Sequence, residues 1–247
     1  MTKKKRIILI SVVSGTTALL LALIIGSAIY LGTYYHADEI AVDAFLSESN
    51  IKTEQIDKVT TAFVPESPKA GFIFYPGGKV EVDAYFPLMA ECAKNDILAV
   101  IIKMPFNLAV FDINAAEGIR EKYPEVEKWY IGGHSLGGSM ASSYLDKNRE
   151  DFDGLILLGS YSTADLSSSN LKALSIFGEN DKVMNREKYN KYKSNLPNLI
   201  EYEIEGGNHA GYGMYGKQKG DGEATISNKA QIEKTVEQIV NLVGEKQ

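Results

Sequence analysis

The chain has 247 residues, 45% of them apolar and 23% charged, with a formal charge of −6. This length builds one domain with a full core, and the negative balance, with no basic run interleaved with aromatics after the N-terminus, excludes a nucleic-acid binder. A single cysteine, Cys92, excludes an intrachain disulfide and any multi-cysteine metal centre.

The first element is apolar. Lys3, Lys4, Lys5 and Arg6 precede Ile7 to Leu31, 25 residues without a charge. At helical rise that stretch crosses roughly 30 Å of hydrocarbon. Tyr30, Tyr34 and Tyr35 suit the far interface, and Asp38, Glu39 and Asp43 come before the next positive charge, Lys52. The positive-inside rule therefore puts residues 1–6 in the cytoplasm and the main domain outside. A cleaved signal peptide is the competing reading, because Gly26-Ser27-Ala28 offers small residues for cleavage after Ala28. The length of the apolar run favours an uncleaved signal-anchor over 7–31. In either case the domain is exported, where a lone cysteine is a safe choice.

A linker is expected over 32–58, with a short helix where Ile40, Ala41, Ala44 and Phe45 recur at helical spacing. The domain then runs from 59 to 247. Val59–Val64 reads as a strand ended by Pro65, and Ala70–Tyr75 as the next strand. Asp83–Asn95 reads as a helix that carries Cys92 as a small buried hydrophobe. Ile97–Lys103 is an unbroken apolar strand, followed by a helical stretch up to Tyr123. Lys128–Gly132 is a strand and Leu136–Lys147 a helix. Gly154–Leu158 and Leu171–Phe177 are strands, Asn185–Asn195 a helix, Leu199–Ile204 the last strand and Ser227–Val243 the last helix. Continuous apolar strands alternating with amphipathic helices predict an α/β class with a mostly parallel sheet, covered on both faces.

In such a sheet, ligands sit beyond the carboxyl ends of the strands. Four loops there stand out. WYIGGHSLGGSM (129–140) puts Ser135 at a strand-to-helix junction, where a nucleophile elbow lies. Crowding at the tight turn explains Gly133 and Gly137, and neither nucleotide-binding glycine motif fits. A serine nucleophile needs a base. Of three histidines, His36 adjoins the apolar segment and His134 lies inside the elbow, pointing away from Ser135. His209, directly after the last strand, remains. Asp181 in FGENDKV (177–183) is the carboxylate expected to orient it, with Glu179 as rival. The glycine pair Gly77-Gly78 in FYPGGK (74–79) can present a bare N–H which, with that of Leu136, forms an oxyanion hole.

From about Ala70 to Val243 the chain resembles bacterial α/β-hydrolases of the Abhydrolase_5 type, related to dienelactone hydrolases and carboxylesterases. The matching stretches are FIFYPGGKVEVDAYFPLMAECAK (72–94), IIKMPFNLAVF (101–111), WYIGGHSLGGSMA (129–141), FGENDKV (177–183) and NHAGYGMYGKQKGDGEATIS (208–227). The resemblance implies the α/β-hydrolase fold and a serine hydrolase without metal or organic cofactor. It carries over Ser135, Asp181 and His209 as the triad, and Gly78 with Leu136 as oxyanion donors. Dienelactone hydrolases proper use a cysteine nucleophile; Cys92 is not at the elbow, so that substrate does not carry over.

The expected activity is cleavage of a small-molecule ester through an acyl-enzyme, with the membrane as the other partner through the N-terminal helix. A thioesterase, peptidase or acyltransferase would use the same residues, and a tethered binding protein without turnover would share the fold. Ser160–Asn170 is too short for a substantial cap, so the pocket should be open. Met104, Phe106, Tyr161, Tyr212 and Tyr215 are candidate walls, and Asp221 is expected to order the glycine-rich segment Gly206–Gly222.

Overall fold

The computed structural model describes residues 2–244, and of 5–13 the backbone only. Met1 and the Lys5 and Arg6 side chains of the basic N-terminus, with residues 245–247 of the domain, lie outside the described residues. The chain divides into two units that meet between Tyr34 and Tyr35. The first is helix α1 (Lys3–Gly32), in which the 19 residues Ser14–Gly32 are long and apolar enough to cross a membrane. A signal sequence passes the same test.

The second unit starts earlier than the sequence predicts. Residues 35–58, expected as a linker, belong to it. Helix α2 (Glu39–Ser47), capped by the Asp38 side chain on the Ala41 N–H, buries Val42 and Phe45. Strand β1 (Lys52–Gln55) pairs antiparallel with β2 (Thr60–Val64). Its four residues, KTEQ, are all exposed, so no apolar pattern announces it. Polar side chains also suit the sheet edge it forms.

The remaining strands are β3 (Ala70–Tyr75), β4 (Ile97–Ile102), β5 (Trp129–His134), β6 (Gly154–Leu158), β7 (Lys172–Gly178) and β8 (Leu199–Ile204). They form one eight-stranded sheet in the order β1-β2-β4-β3-β5-β6-β7-β8. Every pairing from β4 through β8 is parallel; the two that involve β2 are antiparallel. Alternation sends neighbouring side chains to opposite faces. On β3, Phe72 and Phe74 pack with α3 (Phe86–Lys94) and α6 (Asn228–Gly244), whereas Ile73 and Tyr75 pack with α4 (Leu136–Leu145). Helix α6 buries Ile232, Val236, Ile239, Leu242 and Val243, each contributing about 1.5–3 kcal/mol of burial. Cys92 is wholly buried in α3, and burial pushes its thiol pKa up, so it serves as core.

One predicted helix is absent. Between β4 and β5 the chain forms only short 3₁₀ turns, at Pro105–Asn107, Ala109–Phe111 and Arg120–Lys122. Phe106 and Asn107 both adopt φ 54 and Gly118 φ 75, which no α-helix tolerates. The parallel strands end together, so Tyr75, His134, Leu158, Gly178 and Ile204 bring their loops to one edge.

Candidate active site

At that edge the chain turns sharply from β5 into α4, and Ser135 is the turning residue, with φ 51 and ψ −121. A non-glycine residue at positive φ is strained, and the surroundings must hold it. Three contacts do so: the Ser135 N–H donates to Leu158 O at 2.9 Å, its carbonyl accepts Ser160 Oγ at 2.6 Å, and the Ser139 N–H returns to the same carbonyl at 3.3 Å. The turn leaves no room for side chains beside it. A Cβ on Gly133 or Gly137 would run into the Tyr75 carbonyl, and one on Gly138 would sit 2.7 Å from Gly133 O. The glycines of the motif are thus packing requirements of the elbow.

His209, in the loop after β8, donates through Nδ1 to Asp181 Oδ2 at 2.8 Å, and both side chains are shut off from solvent, 1% and 0% exposed. Asp181 is itself fixed, because its Oδ1 accepts the N–H groups of Val183 at 2.9 Å and Met184 at 2.8 Å. Glu179 points elsewhere and accepts the Gly206 N–H at 2.9 Å. With Nδ1 committed, the free lone pair of the neutral imidazole lies on Nε2, which is buried and has no hydrogen-bond partner. The pair lies beside the elbow. Gly159 follows Leu158, the residue bonded to Ser135, and its Cα faces both His209 Nδ1 and Asp181 Oδ2.

The loop after β3 carries the predicted oxyanion donors, and only one glycine of the pair is free to serve. The Gly77 N–H donates to Tyr85 Oη at 3.2 Å, and the Lys79 N–H donates to Asn107 O at 2.7 Å. Between them the Gly78 N–H has no internal partner among the described residues. Gly78 also abuts Leu136, whose Cδ2 would lie 2.9 Å from a Cβ at that position. Leu136 opens α4, so its N–H is one of the unpaired donors of a helix start. Gly77 is therefore corrected from donor to support, and Gly78 and Leu136 stand together.

Of the five predicted pocket walls, three are core. Tyr212 is fully buried and donates its hydroxyl to Ile176 O at 3.1 Å; Tyr215 is wedged between Tyr35 and Tyr85; and Met104 packs with Ile102 and Tyr75. An aromatic or thioether in a glycine-rich or proline-bounded loop can fold back under the sheet edge, and these do. Phe106 is 57% exposed, edge-on to exposed Phe111, and Tyr161 is half-buried against Tyr192. Residues 159–171 form no helix or strand, so no cap domain is present there.

Several residues that hold the site carry no motif. Asp221 accepts the Ala210 N–H at 2.9 Å and the Lys182 N–H at 3.3 Å, bridging the base loop and the acid loop. Buried Gln231 on α6 grips Asn208 twice, accepting its N–H at 3.0 Å and donating to its carbonyl at 2.8 Å. Gly159, at φ +52, lies where any side chain would strike the His209–Asp181 pair. A glycine ending an apolar strand was the one signal for it. Among the described residues no group of three or more metal-ligating side chains forms.

The profile of the Alpha/beta hydrolase family matches residues 71–233. No curated protein matches the sequence. Solved structures share the fold at low identity. An esterase of Pyrobaculum calidifontis is 14% identical, with 84% of this chain and 91% of that one covered at a TM-score of 0.60. Est1E of Butyrivibrio proteoclasticus, in complex with ferulic acid, is 13% identical, with 78% and 100% covered and a TM-score of 0.58. A CIB-like hydrolase of Thermoplasma acidophilum is 17% identical, with 78% and 99% covered and a TM-score of 0.58.

Proposed function

The chain belongs to the alpha/beta hydrolase family, and from that membership we propose that it is a membrane-anchored, extracytoplasmic serine hydrolase that cleaves carboxylic esters. The observation that carries the reading is the buried Asp181–His209 bond, which leaves Nε2 unpartnered in a ring whose centroid lies 4.4 Å from that of His134, the residue before a serine held at positive φ. An activated serine needs a base in one tautomer, and the carboxylate enforces it.

Ser135 Oγ attacks the ester carbonyl while its proton passes to His209 Nε2, and Asp181 stabilises the imidazolium. The Gly78 and Leu136 N–H groups receive the developing oxyanion, each donor lowering the barrier by about 3 kcal/mol. Collapse expels the alcohol, which takes the proton from Nε2 and leaves Ser135 acylated. Water, deprotonated by the same nitrogen, then attacks the acyl carbon, and the proton returns to Oγ as the acid leaves. The likeness to the esterase of Pyrobaculum calidifontis supports esters over other acyl compounds. The absence of a cap over residues 159–171 supports small or accessible esters.

Anchoring is supported by the apolar window Ser14–Gly32, and the outward location by the lysines that precede it. A fluorophosphonate probe tests the chemistry: the wild type should label and Ser135→Ala should not. A folded wild type that does not label would refute it. A series of p-nitrophenyl esters from acetate to decanoate tests the open pocket, which preference for the longest chains would contradict. Mass spectrometry of the membrane fraction tests the anchor, since a mature N-terminus at Ile29 would mean cleavage.

A further inference from the structure

The elbow brings one more imidazole to the site. His134, the last residue of β5, is buried, and its ring centroid lies 4.4 Å from that of His209. The proposed chemistry gives it no role. Its Nδ1 lies 2.8 Å from Tyr85 Oη, and that same hydroxyl accepts the Gly77 N–H. One oxygen atom thus links the residue before Ser135 to the residue before Gly78.

A backbone N–H only donates, so Tyr85 Oη accepts from Gly77, and its second lone pair or its own proton serves the bond to His134 Nδ1 in either tautomer of the ring. His134 Nε2 is buried and has no hydrogen-bond partner. Burial holds the His134 pKa well below the ordinary histidine range, and the adjacent His209 lowers it further. A neutral ring in this position adds no charge against the imidazolium that His209 becomes.

The loop geometry gives the link a consequence. The Gly77 N–H is pinned by Tyr85 and the Lys79 N–H by Asn107, so the peptide that carries the Gly78 N–H is fixed from both sides. The same Tyr85 hydroxyl seats the ring against which His209 packs.

We infer that Tyr85 and His134 are positioning residues: a hydroxyl–imidazole strut that sets the Gly78 N–H for the oxyanion and backs the His209 ring. The inference rests on the serine-hydrolase reading above. It concerns the transition state, because the oxyanion exists only there.

Tyr85→Phe removes the hydroxyl and keeps the ring in its packing with Phe74 and Tyr215. With p-nitrophenyl acetate and the full-length enzyme in detergent, kcat should fall about ten- to a hundredfold, the scale of a small misplacement of catalytic groups. KM should stay within about twofold, and Ki for a trifluoromethyl ketone, which forms an oxyanion on Ser135, should rise by the same factor as kcat falls. His134→Asn offers an amide near the Nδ1 position and should retain more activity than His134→Ala. Adding His134→Asn to Tyr85→Phe should cost little more than Tyr85→Phe alone. A Tyr85→Phe enzyme with wild-type kcat, or with its loss confined to KM, overturns the strut alone. A wild type inert toward both fluorophosphonate and ester overturns the underlying reading and the strut with it.

Discussion

His209 Nδ1 stands 2.8 Å from Asp181 Oδ2, whereas Glu179, two residues nearer the middle of the chain's β7 strand, is turned to the Gly206 N–H. Both acids sit in the same short loop, so the choice between them is one of direction. Asp181→Asn should therefore lower kcat by about 10³–10⁴-fold, since an amide opposite Nδ1 favours the wrong tautomer. Glu179→Gln should change kcat by only a few fold. Ester hydrolysis by both variants at one pH distinguishes the two, and the reverse ranking would make Glu179 the orienting acid.

Gly159→Ala places a Cβ 2.9 Å from His209 Nδ1 and 3.0 Å from Asp181 Oδ2, at a residue whose φ of +52 already disfavours a side chain. The backbone strain costs about 1 kcal/mol in stability. The larger effect should fall on turnover, with kcat reduced at least about tenfold as the pair is pushed apart. Thermal melting together with kcat measures both. A variant that loses stability and keeps its turnover would place the methyl group away from the pair.

The extent to which the site was legible follows from what each part asks of the sequence. The position of Ser135 at the strand-to-helix turn and the pairing of Asp181 with His209 were readable because the chemistry sought restricts the residue types and the parallel sheet restricts the loops. The three buried loop residues Met104, Tyr212 and Tyr215 were misread because loop position says nothing about which way a large side chain folds. Gly77 failed as a donor for a reason eight residues away, in the hydroxyl of Tyr85. The helix expected before Tyr123 failed on backbone geometry at Phe106 and Asn107; asparagine tolerates positive φ, but a phenylalanine gives no sign of it. Strand β1 was invisible because an exposed edge strand needs no apolar alternation. Fold class is written in patterns spread along the chain, whereas these details depend on single contacts between distant residues.

Asp221 bridges the two loops that carry the acid and the base, through Ala210 and Lys182. Asp221→Ala frees three backbone donors, those of Lys182, Ala210 and Gly222, and loosens His209 without touching it. The expected result is a loss of about tenfold in kcat, with a melting temperature lower by several degrees. Asp221→Asn keeps one carbonyl acceptor and should lie between the variant and the wild type. Equal loss in both would mean that the negative charge, and not the bridge, matters.

His134 makes stability depend on pH in a predictable direction. Burial, and next the neighbouring His209, lower its pKa far below that of an unfolded histidine near 6.5. Above that value both folded and unfolded states carry the neutral ring, and the group has no effect on stability. Below it the unfolded chain takes up a proton that the folded protein refuses, so the unfolded state gains and stability falls with falling pH. The limiting slope for one such group is about 1.4 kcal/mol per pH unit. His134→Gln cannot bind that proton, so its stability should fall less steeply below pH 6.5. Denaturant unfolding of both proteins at pH 7.5, 6.5 and 5.5 reads the difference directly. Their stability gap should begin to shift toward the variant at pH 6.5, where about half of the unfolded histidines are protonated, and shift further at pH 5.5, because the other acid-sensitive groups are common to both. A gap independent of pH would mean that His134 accepts its proton in the folded state, against the Tyr85 hydroxyl and beneath Tyr212 as it is.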